Sequence, residues 1–388
     1  MPSPSECVAP FGRIAVIGLG LIGGSLLQAL ARTGHSVIGA DTDAPTVAAA
    51  RESGLDAVPD AAQAAQGADL VVIAVPLPDV PAVLRAVAGR LSPHAVLTDV
   101  GTLKAPVHRL VGELAPDALF VGGHPLAGTE ESGWAAADPA MFAGAPWTLT
   151  IEPDTDLRSW LRIAALLCGL GARPVPTSAA DQDAAIARVI GLPHVLAEVL
   201  ALTGLAGGPL GLSIAAGSYT SGSRVARTRP ELVATWCDGN PGLLGALDDA
   251  ISRLADARER FAADGTVLPL ATAGNAARLG WEHRAFEQVA VPADRAGLLD
   301  HGARGGWITS VTPCSAHPPG PEHPPGAAER SDPAQGGDTP GPAQGADTPG
   351  PAQGTDTPGP AQGTDSPGPE GGADCSAVTL LGQRPLGF

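Results

Sequence analysis

Val16-Ile-Gly-Leu-Gly-Leu-Ile-Gly-Gly-Ser25 is the stretch on which the fold turns. Gly18, Gly20 and Gly23 stand in a G-x-G-x-x-G spacing between Ile14 to Gly18, which reads as a strand, and Leu21 to Arg32, which reads as a helix. Each glycine has a task. Gly18 makes the tight turn, Gly20 lets backbone approach a pyrophosphate, and Gly23 allows the helix to pack closely on the strand. The helix N-terminus then receives negative charge. Asp41 lies eighteen residues beyond Gly23, where a carboxylate accepts hydrogen bonds from a ribose 2'-hydroxyl and repels a 2'-phosphate. NAD is therefore expected in preference to NADP, with Leu19, Leu21 and Ile22 completing the loop. The rival readings are an ordinary βα turn for the glycines and a solvated carboxylate or helix cap for Asp41, with Asp43 an alternative acid.

Outward from this loop, β-rich runs alternate with helical ones, the pattern of parallel strands joined by crossover helices. Ser36 to Asp41, Leu70 to Pro76 and Ala95 to Asp99 are predicted strands, and Phe120 to Gly123 and Trp147 to Ile151 are expected to extend the same sheet. Ala44 to Glu52 and Pro78 to Arg90 are predicted helices. Val75, Pro76 and Gly101, at the carboxyl ends of the third and fourth strands, are further candidate cofactor contacts. After Pro153, Ser178 to Leu205, Pro241 to Ala263 and Leu268 to Val289 run at helical spacing. From Asp338 a nine-residue unit recurs, Asp-Thr-Pro-Gly-Pro-Ala-Gln-Gly followed by Ala or Thr, without a large apolar side chain to offset its ordering entropy. The expected organisation is an extension at 1–11, a doubly wound α/β domain at 12–153, an all-helical domain at 154–300 and a disordered tail at 301–388, most simply a passive solubilising one.

The 388 residues suit about two domains, and 44% hydrophobic against 16% charged residues is enough to build their cores. A formal charge of −17 argues against nucleic acid or an anionic membrane as partner. Cys7, Cys168, Cys237, Cys314 and Cys375 are dispersed without a CxxC pair, so no metal site is expected and a reducing cytoplasm fits. No secretory leader is legible before Arg13, and the apolar run Leu70 to Pro76 is too short to span a bilayer.

The reaction must come from side chains near the nicotinamide. Gly122-Gly-His-Pro-Leu-Ala-Gly-Thr-Glu-Glu-Ser-Gly133 sets His124 directly after a predicted strand, ahead of a loop carrying Thr129 and Glu130. A histidine there can take the proton of a hydroxyl whose carbon surrenders hydride; a capping or packing role is the alternative. Gly18 to Ser25, Asp99-Val-Gly-Thr-Leu-Lys104 and His124-Pro-Leu-Ala-Gly-Thr-Glu130 together resemble the prephenate dehydrogenase family, which includes arogenate dehydrogenases, over about residues 12 to 290.

The resemblance implies a Rossmann domain followed by a helical domain that forms a homodimer. It also implies NAD-dependent oxidative decarboxylation of prephenate to 4-hydroxyphenylpyruvate in tyrosine biosynthesis, with arogenate the rival substrate. By the same resemblance His124 is the catalytic base, and Thr102 stands where relatives often carry a serine that orients it. Thr129 and Glu130 are candidate substrate contacts. Gly191-Leu-Pro-His194 resembles the element whose histidine lines the substrate pocket, and Arg224-Val-Ala the arginine that pairs with a substrate carboxylate. Ile190-Gly191 and Val233 depart from the Ser-His and the tryptophan of many relatives, which bears on the keto or amino preference. Of the remaining readings, a β-hydroxyacid dehydrogenase would need a lysine in the helical domain, whereas Lys104 lies in the first. A nucleotide-binding protein without chemistry would retain NAD and show no turnover.

Overall fold

The computed structural model describes residues 8–129, 131–313 and 378–386. Its first half is a six-stranded parallel sheet of order β3-β2-β1-β4-β5-β6. The strands are β1 (Arg13–Ile17), β2 (Ser36–Ala40), β3 (Ala57–Val58), β4 (Leu70–Ile73), β5 (Val96–Asp99) and β6 (Leu119–Val121). Between them run α1 (Leu21–Arg32), α2 (Ala44–Glu52), α3 (Ala61–Ala65), α4 (Val80–Val87) and α5 (Ala105–Leu114). Strand residues alternate between two faces, and both faces are covered. Ile14, Val16, Val72 and Val96 enter one apolar core with Leu26 and Leu30 of α1. Ala15, Ile17, Val71 and Leu97 enter the other with Leu84 of α4 and Val107 and Val111 of α5. Asp43 caps α2, accepting from the Thr46 N–H at 2.9 Å, which leaves Asp41 for the glycine loop.

Three expectations are corrected here. Trp147 to Thr150 does not extend the main sheet. After β6 the chain steps through Gly122 into β7 (Gly123–Pro125), antiparallel to β8 (Pro146–Thr150), which in turn pairs in parallel with β9 (Arg173–Thr177). Gly122 and Gly123 permit the step, because a Cβ on either would lie 2.7 Å from Thr150 Oγ1 or the Asp99 carbonyl. Second, the first domain runs past 153. Helix α6 (Leu157–Gly169) buries Trp160, Leu161 and Ala164 in the sheet core, so the mainly helical part begins near Ser178. Phe11, assigned to an extension, also lies in that core, under the Arg162 guanidinium.

The helical part comprises α7 (Ala179–Ile186), a π-turn (Ala187–Gly191), α8 (Leu192–Ala206), α9 (Gly208–Ser213), α10 (Gly217–Gly222), α11 (Pro230–Cys237), α12 (Gly242–Asp264) and α13 (Leu268–Glu282). Ala179–Ala206 is 28 residues long and, by length and composition only, apolar enough to cross a membrane, a stretch that the reading of Leu70 to Pro76 passed over. Much of this surface is bare: Leu202, Leu205, Leu210, Ile214, Ile251, Phe261 and Leu268 are all exposed.

The third correction concerns 283–388. Phe286 to Val289, read as helix, lies in β10 (Phe286–Val291), whose side chains alternate in burial. Helix α14 (Arg295–Ala303) follows, then β11 (Trp307–Pro313) and β12 (Val378–Pro385). Strand β12 is the central one, antiparallel to both neighbours, and Pro313 is the register partner of Val378. Leu298, Ile308, Val378 and Leu380 are buried with Leu167 and Ala172 of the first domain. Residues 301–313 and 378–386 are therefore part of the fold; the nine-residue units lie outside the described residues.

Candidate active site

The sheet order reverses between β1 and β4, and the crevice at their carboxyl ends is where open α/β sheets bind ligands. The three glycines of the loop there are separable on geometry. Gly18 has φ +97°, and a Cβ on it would meet the Ala74 carbonyl at 2.5 Å and Val75 Cγ1 at 2.9 Å. A Cβ on Gly23 would fall 1.9 Å from the Gly18 carbonyl. Before Gly20 there is open space, and no side chain caps α1, so its first N–H groups face that space unclaimed by a cap. A Cβ at Gly20 would partly fill this space, which has the character of an anion site at a helix N-terminus.

Asp41 accepts from the Leu19 N–H at 2.7 Å and the Asp43 N–H at 2.9 Å, bringing the carboxylate onto the loop. The Leu19 side chain is buried, so this residue offers backbone alone. Leu21 and Ile22 are half-buried beside Gly128, and Val75 and Pro76 follow β4. The Gly101 N–H is taken by Asp99 Oδ2 at 2.9 Å. These residues fit a dinucleotide.

His124 stands in β7 and is 5% exposed. The preceding Gly123 is gripped from both sides, its N–H donating to Asp99 Oδ1 at 3.1 Å and its carbonyl accepting from Lys104 Nζ at 2.6 Å. Lys104 and Asp99, each 1% exposed, also pair directly. Burial raises the pKa of Asp99 and lowers that of Lys104, each offset in part by the partner's charge. Burial, and then the neighbouring Lys104 charge, push the His124 imidazole down to about 3, against the pull of its hydrogen bond to Gln182. The ring is a neutral base near pH 7.

Its partner is Gln182 Oε1, 3.0 Å from Nδ1. Gln182 begins no motif and was not anticipated. Nor was Asp183, whose carboxylate accepts from the Lys104 and Ala105 N–H groups at 2.8 and 2.9 Å and ties α7 to the start of α5. A polar pair on the first turns of an otherwise apolar helical run was the available signal. Thr102, whose hydroxyl the resemblance makes an orienting group for His124, presents its carbonyl to Gln182 Nε2 at 3.1 Å.

The loop after His124 crosses α1: the Asp138 N–H donates to Ser25 Oγ at 2.8 Å. Thr129 is exposed and lines an open groove of about 790 Å³ with Leu126, Met141 and Gly144. Neither His124 nor the glycine loop lines that groove. Glu130 lies outside the described residues. His194, half-buried in the first turn of α8, bonds the Ile190 carbonyl through Nδ1 at 2.9 Å and meets Trp236 edge-on at 4.8 Å. Arg224, itself exposed, opens a 3₁₀ turn (Arg224–Arg227) packed on α8. Among the described residues, no hydrogen bond or ion pair joins Arg224 or His194 to the His124 group. No group of three or more His, Cys, Asp or Glu among them is arranged to hold a metal ion.

Residues 26–175 match the family profile described as prephenate dehydrogenase, nucleotide-binding domain. A cyclohexadienyl dehydrogenase of Zymomonas mobilis is 32% identical over 66% of this chain and 92% of its own length. A prephenate dehydrogenase of Lactococcus lactis is 32% identical over 48% of this chain, which spans 52% of that relative. Among solved structures, a candidate prephenate dehydrogenase from Corynebacterium glutamicum is 37% identical with a TM-score of 0.66, over 70% of this chain and 89% of that one.

Proposed function

Because the chain belongs to the prephenate dehydrogenase family, we propose that it is an NAD-dependent oxidoreductase that oxidises and decarboxylates prephenate to 4-hydroxyphenylpyruvate in tyrosine biosynthesis. The observation that carries this is a buried imidazole, kept neutral, one residue beyond the group clamped at the carboxyl end of β5. His124 accepts the proton of the ring hydroxyl as hydride departs from the same carbon, which becomes a ketone. When bound, NAD supplies the acceptor for that hydride. Cleavage of the bond from ring to carboxylate releases carbon dioxide and returns its electron pair to the ring, which becomes aromatic as the oxygen regains a proton. Burial of His124 keeps water from competing for its lone pair.

Gly20 and the first turn of α1 hold the pyrophosphate in a loop that Gly18 and Gly23 shape, and Asp41 holds the ribose. Arg224 pairs with a substrate carboxylate, for which a planar guanidinium is suited, and His194 and Thr129 contribute to the substrate side. Lys104 does not serve as an acid or base of the β-hydroxyacid dehydrogenase kind, since Asp99 and the Gly123 carbonyl occupy its ammonium. The apolar residues left bare on α8, α9, α12 and α13 are covered by a second copy of the chain. The negative charge and the free Cys168 and Cys237 fit a cytoplasmic protein without nucleic-acid or membrane partners.

The test supplies purified protein with NAD and prephenate, then arogenate, and follows NADH. Turnover of prephenate supports the reading, faster turnover of arogenate moves the substrate to that rival, and NADH from neither overturns it. His124→Asn should lower kcat by about a hundredfold or more with NAD affinity unchanged.

A further inference from the structure

The amide of Gln182 has only one orientation open to it. Nε2 donates to the Thr102 carbonyl at 3.1 Å and to Asp183 Oδ1 at 2.6 Å. A backbone carbonyl can only accept, and the Asp183 carboxylate is already accepting from the Lys104 and Ala105 N–H groups. Flipping the amide would set oxygen against both acceptors. Oε1 must therefore face His124, and an oxygen 3.0 Å from a neutral imidazole nitrogen has to be met by an N–H. The proton of the ring is thus on Nδ1, which leaves the lone pair on Nε2.

We propose that Gln182 is a positioning residue that fixes His124 in the tautomer protonated on Nδ1, so that Nε2 is the atom that takes the substrate proton. This rests on the reading of His124 as the base. It has a consequence for the two halves of the chain. The imidazole belongs to β7, whereas Gln182 belongs to α7 at the entrance of the helical part. Asp183 fastens that entrance to the Lys104 and Ala105 N–H groups, and Asn240 Nδ2 holds the Asp183 carbonyl at 3.0 Å. The base is set for catalysis only while these contacts hold. A correct tautomer is decisive in such a site, because the ring with its proton on Nε2 offers the substrate a donor where an acceptor is needed.

The experiment uses full-length protein with ¹⁵N-labelled histidine, the His124 ring being assigned by its absence from the His124→Asn spectrum. In the wild type, Nδ1 should carry the proton and Nε2 the lone pair. Gln182→Glu retains an acceptor toward Nδ1 and should keep it protonated, whereas Gln182→Leu should release the ring to the other tautomer. With substrate, Gln182→Leu should lower kcat about tenfold or more, the weight of one lost hydrogen bond to a buried ring, while KM for NAD stays unchanged. A wild-type ring protonated on Nε2 overturns the proposal, as does a leucine variant that keeps both tautomer and kcat. If wild-type protein turns over neither cyclohexadienol, the functional reading fails while the spectra still decide the role of Gln182. If the leucine variant does not fold, the wild-type and glutamate spectra decide it.

Discussion

Lowering the pH from 7 to 5 should cost the folded chain about 2 kcal/mol through His124 alone, and His124→Asn should remove that share of the loss. The folded imidazole titrates near 3 and the ordinary value is 6.5. At pH 7 the ring is neutral whether folded or unfolded. At pH 5 the unfolded ring binds a proton that the buried one refuses, and the separation of about 1.5 pH units below 6.5 corresponds to about 2 kcal/mol at ~1.4 kcal/mol per unit. The unfolded state binds more protons throughout the window from 6.5 down to about 3, so the contribution is intact above 6.5 and is lost as the pH falls. The assay is urea unfolding of wild type and His124→Asn at both pH values. Asp99, Lys104 and His301 titrate in both proteins, so the difference between the two pH-dependent losses isolates the imidazole. Equal losses in both would refute the claim that burial holds this ring neutral.

Gly23→Ala should destabilise the chain by about 3 kcal/mol or more in thermal or urea unfolding, since its Cβ would lie 1.9 Å from a backbone oxygen. Gly20→Ala meets nothing within 4 Å and should leave stability within about 1 kcal/mol of wild type while weakening NAD at least tenfold by calorimetry. Arg224→Ala should raise KM for the cyclohexadienol with kcat little changed; an unaltered KM would assign it to the surface. Truncation after residue 313 removes β12 and the buried Val378 and Leu380, and should cost about 3 kcal/mol or more of stability. Such a loss would count against reading 301–388 throughout as a passive tail; an unchanged melting temperature would restore that reading.

What was legible in the sequence was local. The turn from β1 to α1 could be read because three glycines within six residues stand at a fixed spacing between a strand and a helix, although only the demand on Gly23 comes from the loop itself, that on Gly18 coming from Ala74 and Val75. Asp41 could be separated from Asp43 only in part, since the choice depends on which carboxylate meets Thr46 and which meets Leu19. The Gln182 contacts were illegible for the opposite reason: they join residues 58 and 80 positions apart, and no spacing rule links them. Trp147 to Thr150 has the same apolar alternation whichever sheet receives it, so its neighbours had to be seen. Val378 to Leu381 is a short β-rich run at the end of a Pro- and Gly-rich segment, and averaging over that composition conceals it.

The pairing of Pro313 with Val378 has an evolutionary corollary. The chain leaves and re-enters one antiparallel ladder at neighbouring positions. Copies of the nine-residue unit can thus be duplicated or deleted without shifting either strand. The entropy of closing such a gap grows only with the logarithm of its length, about 0.6 kcal/mol per doubling. The ladder fixes where this stretch starts and ends and sets no length for what lies between.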